Sequence, residues 1–216
     1  MPTFTQRVTV GTNDFGGDAD AAAPNSFNHN SHVVDFSAAT TDENSVTGLR
    51  YTNVTIPAGS TITSATIDFV FLASYADRVD ADILLNDVDN AVAPTNATGL
   101  AALVRTTAST PWNDLNAGYT PAVATSPDFK TSVQEVIDRG GWASGQAIIV
   151  LMVGTTLDSD SNIAQARSSD YDIANATTLA PIITIEYTTP SALGSTNLLK
   201  STLLSSTLLS STLIRS

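Results

Sequence analysis

No cysteine occurs in the 216-residue chain, which excludes disulfide cross-links and leaves the redox compartment open. Histidine is nearly absent too, with only His29 and His32, both in a stretch rich in Asn, Asp, Gly and Ala. A Ser-His-acid relay would have to draw on one of them, and no Gly-x-Ser-x-Gly elbow accompanies either. As metal ligands the His-x-x-His pair would need a third partner and a scaffold, so polar loop residues are the simpler reading. Charged residues are 14% of the chain, against about 25% in an average globular domain, so the surface leans on Ser, Thr and Asn. Basic residues are scarcer still, 9 against 21 acids, for a formal charge of −12. That balance repels nucleic-acid backbones and anionic membranes, so neither is an expected partner. No apolar run approaches the ~20 residues needed to span a bilayer. Met1 to Val10 is polar and strand-like, not a basic-then-apolar leader, and the expectation is a chain without a signal peptide.

What is present points to β-structure. Gly48 to Leu72 holds two β-type runs joined by a turn with Pro57 and Gly59. In the second run Ala65, Ile67, Phe69 and Phe71 alternate with Thr66 and Asp68, the pattern of a strand with one buried face. The two runs read as a central strand pair. Thr3 to Val10, His32 to Phe36, Ile163 to Ser169 and Pro181 to Thr188 read as further strands, as does a segment around Ile83, Leu84 and Leu85. Gly99 to Thr106 reads as strand or short helix. Ala147 to Val153 has the length and branching of a strand buried on both faces. Gly11 to Ser31 and Pro111 to Pro127 read as loops, and Asp42 to Asn44 as a turn.

The one helix expected runs from about Pro127 to Arg139. Ser126 is its predicted N-cap, Gly140 its left-handed stop, and Phe129, Val133, Val136 and Ile137 form an apolar stripe that would lay it flat on a sheet. Many short strands with frequent turns predict a mainly β fold, an antiparallel β-sandwich with one short helix packed on it.

Four stretches carry a family resemblance: GLRYTNVTIPAGSTITSATIDF, VQEVIDRGGWASGQAIIVLMVGT from Val133 to Thr155, ARSSD from Ala166 to Asp170, and PIITIEY from Pro181 to Tyr187. Together they resemble a jelly-roll module, similar to carbohydrate-binding modules, of bacterial secreted proteins and phage virion structural proteins. The resemblance spans roughly Thr3 to Thr188 and implies a jelly-roll sandwich that serves attachment or assembly without activity of its own.

Candidate chemistry is sparse. Asp158, Asp160 and Asn162 begin like an EF-hand loop, yet its sixth position, which requires glycine, is Ile163. A polar turn is the simpler reading there, and a solvated acidic surface is the simpler reading for Asp77, Asp80, Asp82, Asp87 and Asp89. Trp112, Tyr119 and Tyr171 are the aromatics that would stack on sugar rings if exposed. No pair among the acids is singled out as glycosidase carboxylates. The expectation is a non-enzymatic protein with no assigned cofactor or metal.

The end of the chain is chemically separate. After Pro190 there is no acid, and from Ser195 a five-residue repeat reads STNLLK, STLLS, STLLS, STLIRS. It places apolar pairs at Leu198 and Leu199, Leu203 and Leu204, Leu208 and Leu209, and Leu213 and Ile214. A period of five smears the pairs around a helix and alternates them across a strand. It partly matches pentapeptide-repeat β-helices, except that the second Leu of each pair would point outward. These eight side chains are the expected partner-binding residues. The predicted organisation is a β-sandwich domain over 1–189 and a tail over 190–216 for anchoring or oligomerisation. Expected partners are copies of the chain, as a homo-oligomer, or other virion proteins. The functional expectation is a phage capsid decoration, cement or fibre component on the virion surface, the alternative being an adhesion module that recognises surface glycans.

Overall fold

The computed structural model describes residues 1–18, 27–29, 33–37, 45–75, 80–113, 123–155, 163–167 and 179–190. These form two antiparallel sheets packed face to face, with short helices at the margins. The first sheet runs β1 (Thr3–Arg7), β12 (Ile182–Thr188), β6 (Thr61–Tyr75), β11 (Ile163–Arg167), β4 (Val33–Ser37), and β9 (Val123–Thr125) also pairs with β6. The second runs β3 (Phe27–His29), β2 (Asp14–Asp18), β5 (Ser45–Val54), β10 (Gln146–Gly154), β7 (Ala81–Leu85), β8 (Thr110–Trp112).

The expected central pair is therefore not a pair. β5 lies between β2 and β10 in one sheet, whereas β6 lies among β12, β11 and β9 in the other. The turn between them, closed by Ser60 N–H donating to the Pro57 carbonyl with Gly59 at φ +74°, carries the chain across the sandwich. Alternation reports which face of a strand is buried and is silent about its neighbour. Both strands also change phase within themselves. Leu49 and Tyr51 face the core, but so do Val54 and Ile56, because an extra residue sits opposite the Gln146–Ile148 segment. Asn53 takes up that bulge at φ 54°, a left-handed conformation that asparagine tolerates. A second irregularity opposite Glu186 and Tyr187 turns both Ile62 and the Ala65, Ile67, Phe69 series inward.

Two stretches expected as loops contain strands. Gly11 to Ser31 includes β2 and β3, and Pro111 to Pro127 includes part of β8 and all of β9. β2 reads DFGGD, which has no period to detect; its order comes from pairing with β5. The Phe15 ring lies over Gly48 in the space a Cβ would occupy, and it stacks on Phe27 at 6.5 Å.

β10 is buried on both faces, as its composition predicts. Ile148, Val150 and Met152 enter the inter-sheet core. Ile149, Leu151 and Val153 enter a second core on the outer face of the sheet, with Phe15, Val46, Ala91 and Leu100. That face is covered by the segment 86–106, which includes α1 (Ala97–Ala101), capped by Asn96 Oδ1 accepting from Gly99 N–H at 2.8 Å.

The predicted stripe Phe129, Val133, Val136, Ile137 is wholly buried on α2 (Lys130–Ile137). Its ends differ from expectation. Phe129 is the N-cap residue, Gly140 has no left-handed φ, and Ser126 is drawn away to accept from Ile67 N–H at 3.0 Å. Asp128 accepts from Ala65 N–H at 2.9 Å and Gln134 from Ile62 N–H at 2.7 Å. Backbone bonds from Ser126 N–H to the Ile67 carbonyl and from Phe129 N–H to the Ala65 carbonyl complete the row. The run from β9 into α2 thus substitutes for a strand along β6, satisfying an edge that would otherwise invite pairing with another chain. The helix contacts β7 as well as β6, so it spans the two sheets and does not lie flat on one.

Tyr51 is the anomaly of the core. It is 1% exposed, and its hydroxyl has no hydrogen-bond partner among the described residues. Burial pushes the phenol well above its usual pKa, a rise that Arg7 opposes and Asp14 reinforces. An unsatisfied buried hydroxyl costs about 1–3 kcal/mol. Tyr51→Phe is therefore expected to raise stability by roughly 1 kcal/mol, a gain of about 2–4 °C in thermal midpoint. A lower midpoint would show that the hydroxyl is satisfied.

Candidate functional site

The segment 86–106, over the outer face of the second sheet, is fastened by charged and polar side chains. Three anchors hold that segment. Arg50 Nε donates to the Ala91 carbonyl at 2.8 Å while its Nη1 reaches Asn13 Oδ1 at 3.2 Å. Asn90 Oδ1 accepts from Ala147 N–H at 2.9 Å. Arg139, just beyond α2, donates from Nε to Asp89 at 2.7 Å and from Nη1 to Asp87. Hydrogen bonds to Asp89 and Asp87 raise the Arg139 pKa above the ordinary arginine value. Farther along, Glu135 accepts from Thr107 N–H and Oγ1, both at 2.8 Å, and from Ala108 N–H at 2.9 Å. Burial acts to raise its pKa, but these bonds outweigh it and hold the carboxyl below its usual range.

The residues singled out from sequence fall as follows. Asp87 and Asp89 are the ion-pair partners of Arg139, which makes them a structural clamp. Asp80 is buried, and its carbonyl accepts from Thr155 N–H at 3.0 Å. Among the described residues no group of three or more His, Asp or Glu side chains is placed to hold a metal ion. Trp112 is buried and packs on Phe69 with ring centroids 5.6 Å apart, so its face is closed to a sugar ring. Tyr119, Tyr171, Asp77, Asp158, Asp160, Asn162 and His32 lie outside the described residues, as do Leu198, Leu199, Leu203, Leu204, Leu208, Leu209, Leu213 and Ile214.

One pair was not anticipated. Asn86 and Arg105 oppose each other in an isolated antiparallel bridge at the end of β7. The bridge is fixed by Thr106, whose N–H donates to the Leu85 carbonyl and whose Oγ1 accepts from Leu85 N–H at 3.0 Å. Asn86 is 4% exposed, and its Oδ1 has no donor among the described residues. Arg105 is half-buried, and its guanidinium has no hydrogen-bond or ion-pair partner among them. Burial alone lowers its pKa, without displacing the charge at neutral pH. The signal in the sequence was a lone arginine closing the apolar run Gly99 to Val104, in a chain with so few bases.

No protein-family model matches the chain, and no curated protein sequence matches it.

Proposed function

We propose that this protein is a non-enzymatic structural component of a virus particle, a phage capsid decoration, cement or fibre protein. The sandwich, a jelly roll in this reading, forms the outward body, and residues 190–216 bind copies of the chain or neighbouring virion proteins. The observation that carries the reading is the five-residue Leu repeat that begins a few residues after the last strand. Its eight paired apolar side chains would each gain about 1.5–3 kcal/mol on full burial, while every ordered residue costs about 1–2 kcal/mol of backbone entropy. The segment gains enough only if partner surfaces add to its own burial. Its point of departure also fits: β12 ends beside the β5–β6 turn, with Pro190 against Gly59, so the sandwich hands over to the repeat at one of its ends.

Deleting residues 191–216 is expected to leave a soluble, cooperatively folding body that no longer self-associates in sedimentation and no longer enters particles. Unchanged association and incorporation would overturn the proposal.

A further inference from the structure

β1 is an unguarded edge of the first sheet. Its hydrogen-bond phase follows from two bonds at its ends: Tyr187 N–H donates to the Pro2 carbonyl and Val8 N–H to the Pro181 carbonyl, both at 3.1 Å. Carried through the register from Thr3–Glu186 to Arg7–Ile182, that phase makes Pro2, Phe4, Gln6 and Val8 the positions bonded to β12. The N–H and carbonyl groups of Thr3, Thr5 and Arg7 therefore point away from β12, and among the described residues no strand lies beyond them. Thr3 and Thr5 are exposed. The usual safeguards against edge pairing are absent between Thr3 and Gln6, where there is no proline, no charge and no bulge. By contrast β8 carries Pro111, and the edge of β6 is taken by the run from β9 into α2.

Such an edge selects an extended segment whose own backbone groups are free to pair. The tail suits it in four ways. Residues 191–216 hold no proline, so every residue can both donate and accept. One STLLS repeat spans about 17 Å when extended, the length of the five-residue β1. On a strand the period of five sends one apolar residue of each pair to each face, so a docked repeat turns one leucine inward, next to the buried Phe4 and Val8. Charge agrees as well, because the tail carries Lys200 and Arg215 and no acid, while the body holds all 21 acids, Glu186 standing opposite Thr3. The tail also sets off next to this edge, since β12 ends beside Pro2. Two copies that bring these ends together can each reach the other's β1 over a short span, a closed two-fold arrangement.

We propose that the Leu-repeat tail of one copy adds as a strand to the β1 edge of a second copy, bonding to the backbone of Thr3, Thr5 and Arg7. This rests on the reading of the tail as the assembly element and adds the surface that receives it.

The test follows amide hydrogen exchange in the full-length chain, dilute and concentrated, alongside sedimentation. As copies associate, the Thr5 and Arg7 amides are expected to slow at least tenfold together with amides in 201–210, while Phe4 and Gln6, already bonded to β12, change little. Thr5→Pro removes an outward N–H and no bond to β12, and is expected to weaken association about tenfold, the scale of one or two lost hydrogen bonds. Thr5→Ala keeps the N–H and is expected to associate as the unaltered chain does. A chain that associates at no concentration would overturn the tail reading and this one together. Loss of association on deleting residues 191–216, with Thr5 and Arg7 exchanging freely in the associated full-length chain, would overturn the edge assignment alone, as would protection gained at β4 instead. Slow exchange already present in the dilute monomer would put the tail on its own copy's edge, and protection that survives the deletion would give the edge to the second copy's β1; either result overturns docking of the tail between copies. The exchange pattern of the unaltered chain decides the question even if Thr5→Pro fails to fold.

Discussion

Replacing Phe129 by alanine is expected to lower stability by about 3–5 kcal/mol and the thermal midpoint by roughly 6–20 °C. Phe129 is fully buried at the start of α2, in the core shared by both sheets. Its backbone N–H is tied to the Ala65 carbonyl at 3.0 Å, and the same segment supplies Asp128 and Ser126 to the β6 edge. The position is thus held by hydrogen bonds at and before Phe129 and by Gln134 accepting from Ile62 N–H beyond it, and the helix cannot slide inward to fill the space. A site that cannot collapse belongs at the upper end of the large-to-small range. Phe129→Leu is expected to cost much less, about 1–1.5 kcal/mol, because most of the volume remains. Urea denaturation of both variants measures the contrast. Equal losses would mean that the helix, and not the ring, sets the cost.

Gly48→Val is the second large effect, expected at about 2–4 kcal/mol through overpacking and the lost burial of an aromatic ring. A Cβ at Gly48 would stand 2.0 Å from Phe15 Cε2, and no other described glycine that faces a buried ring is so close. Phe15 is 4% exposed and seated in the second core against Phe27. Expelling it removes the side chain that fastens β2 to the sheet. Hydrogen exchange should then accelerate at Gly16 and Gly17 while β6 and β12 stay protected, since these belong to the opposite sheet. The double variant Phe15→Ala, Gly48→Val is expected to be less destabilised than the two single changes added together, because the clash disappears with the ring. Strict additivity would place the cost elsewhere.

Both effects mark what local pattern reports and what it misses. The Phe129 stripe was legible because four apolar residues at helical spacing have one economical arrangement, a buried face. The β10 run was legible for a similar reason: uninterrupted branched apolar residues over strand length require cover on both sides, and two cores supply it. β2 was not legible. Asp14 to Asp18 carries two glycines and a single large apolar residue, and its strand geometry is imposed by the register Phe15–Gly48 with β5. The helix ends misled for another reason. Ser126 satisfies the rules for an N-cap, yet the open edge of β6 offers it an N–H group in a better direction. Capping rules consider only the helix's own donors.

The candidate site divides along the same line. That a lone arginine interrupts an apolar run can be read at once; that it stands opposite Asn86, with the intervening aspartates turned towards Arg139, depends on a bridge between residues nineteen apart. By itself the sequence determined the β-rich class, the faces of β6 and β10, the buried stripe of α2 and the chemical separateness of the Leu-repeat tail, because each follows from periodicity or composition within one segment. Only the tertiary structure decided that β5 and β6 belong to opposite sheets, that Phe15 needs Gly48, and that Arg105 meets Asn86. Those are statements about which segments become neighbours, and neighbours are chosen by the whole core's burial and by backbone hydrogen-bond satisfaction, neither of which any one segment encodes.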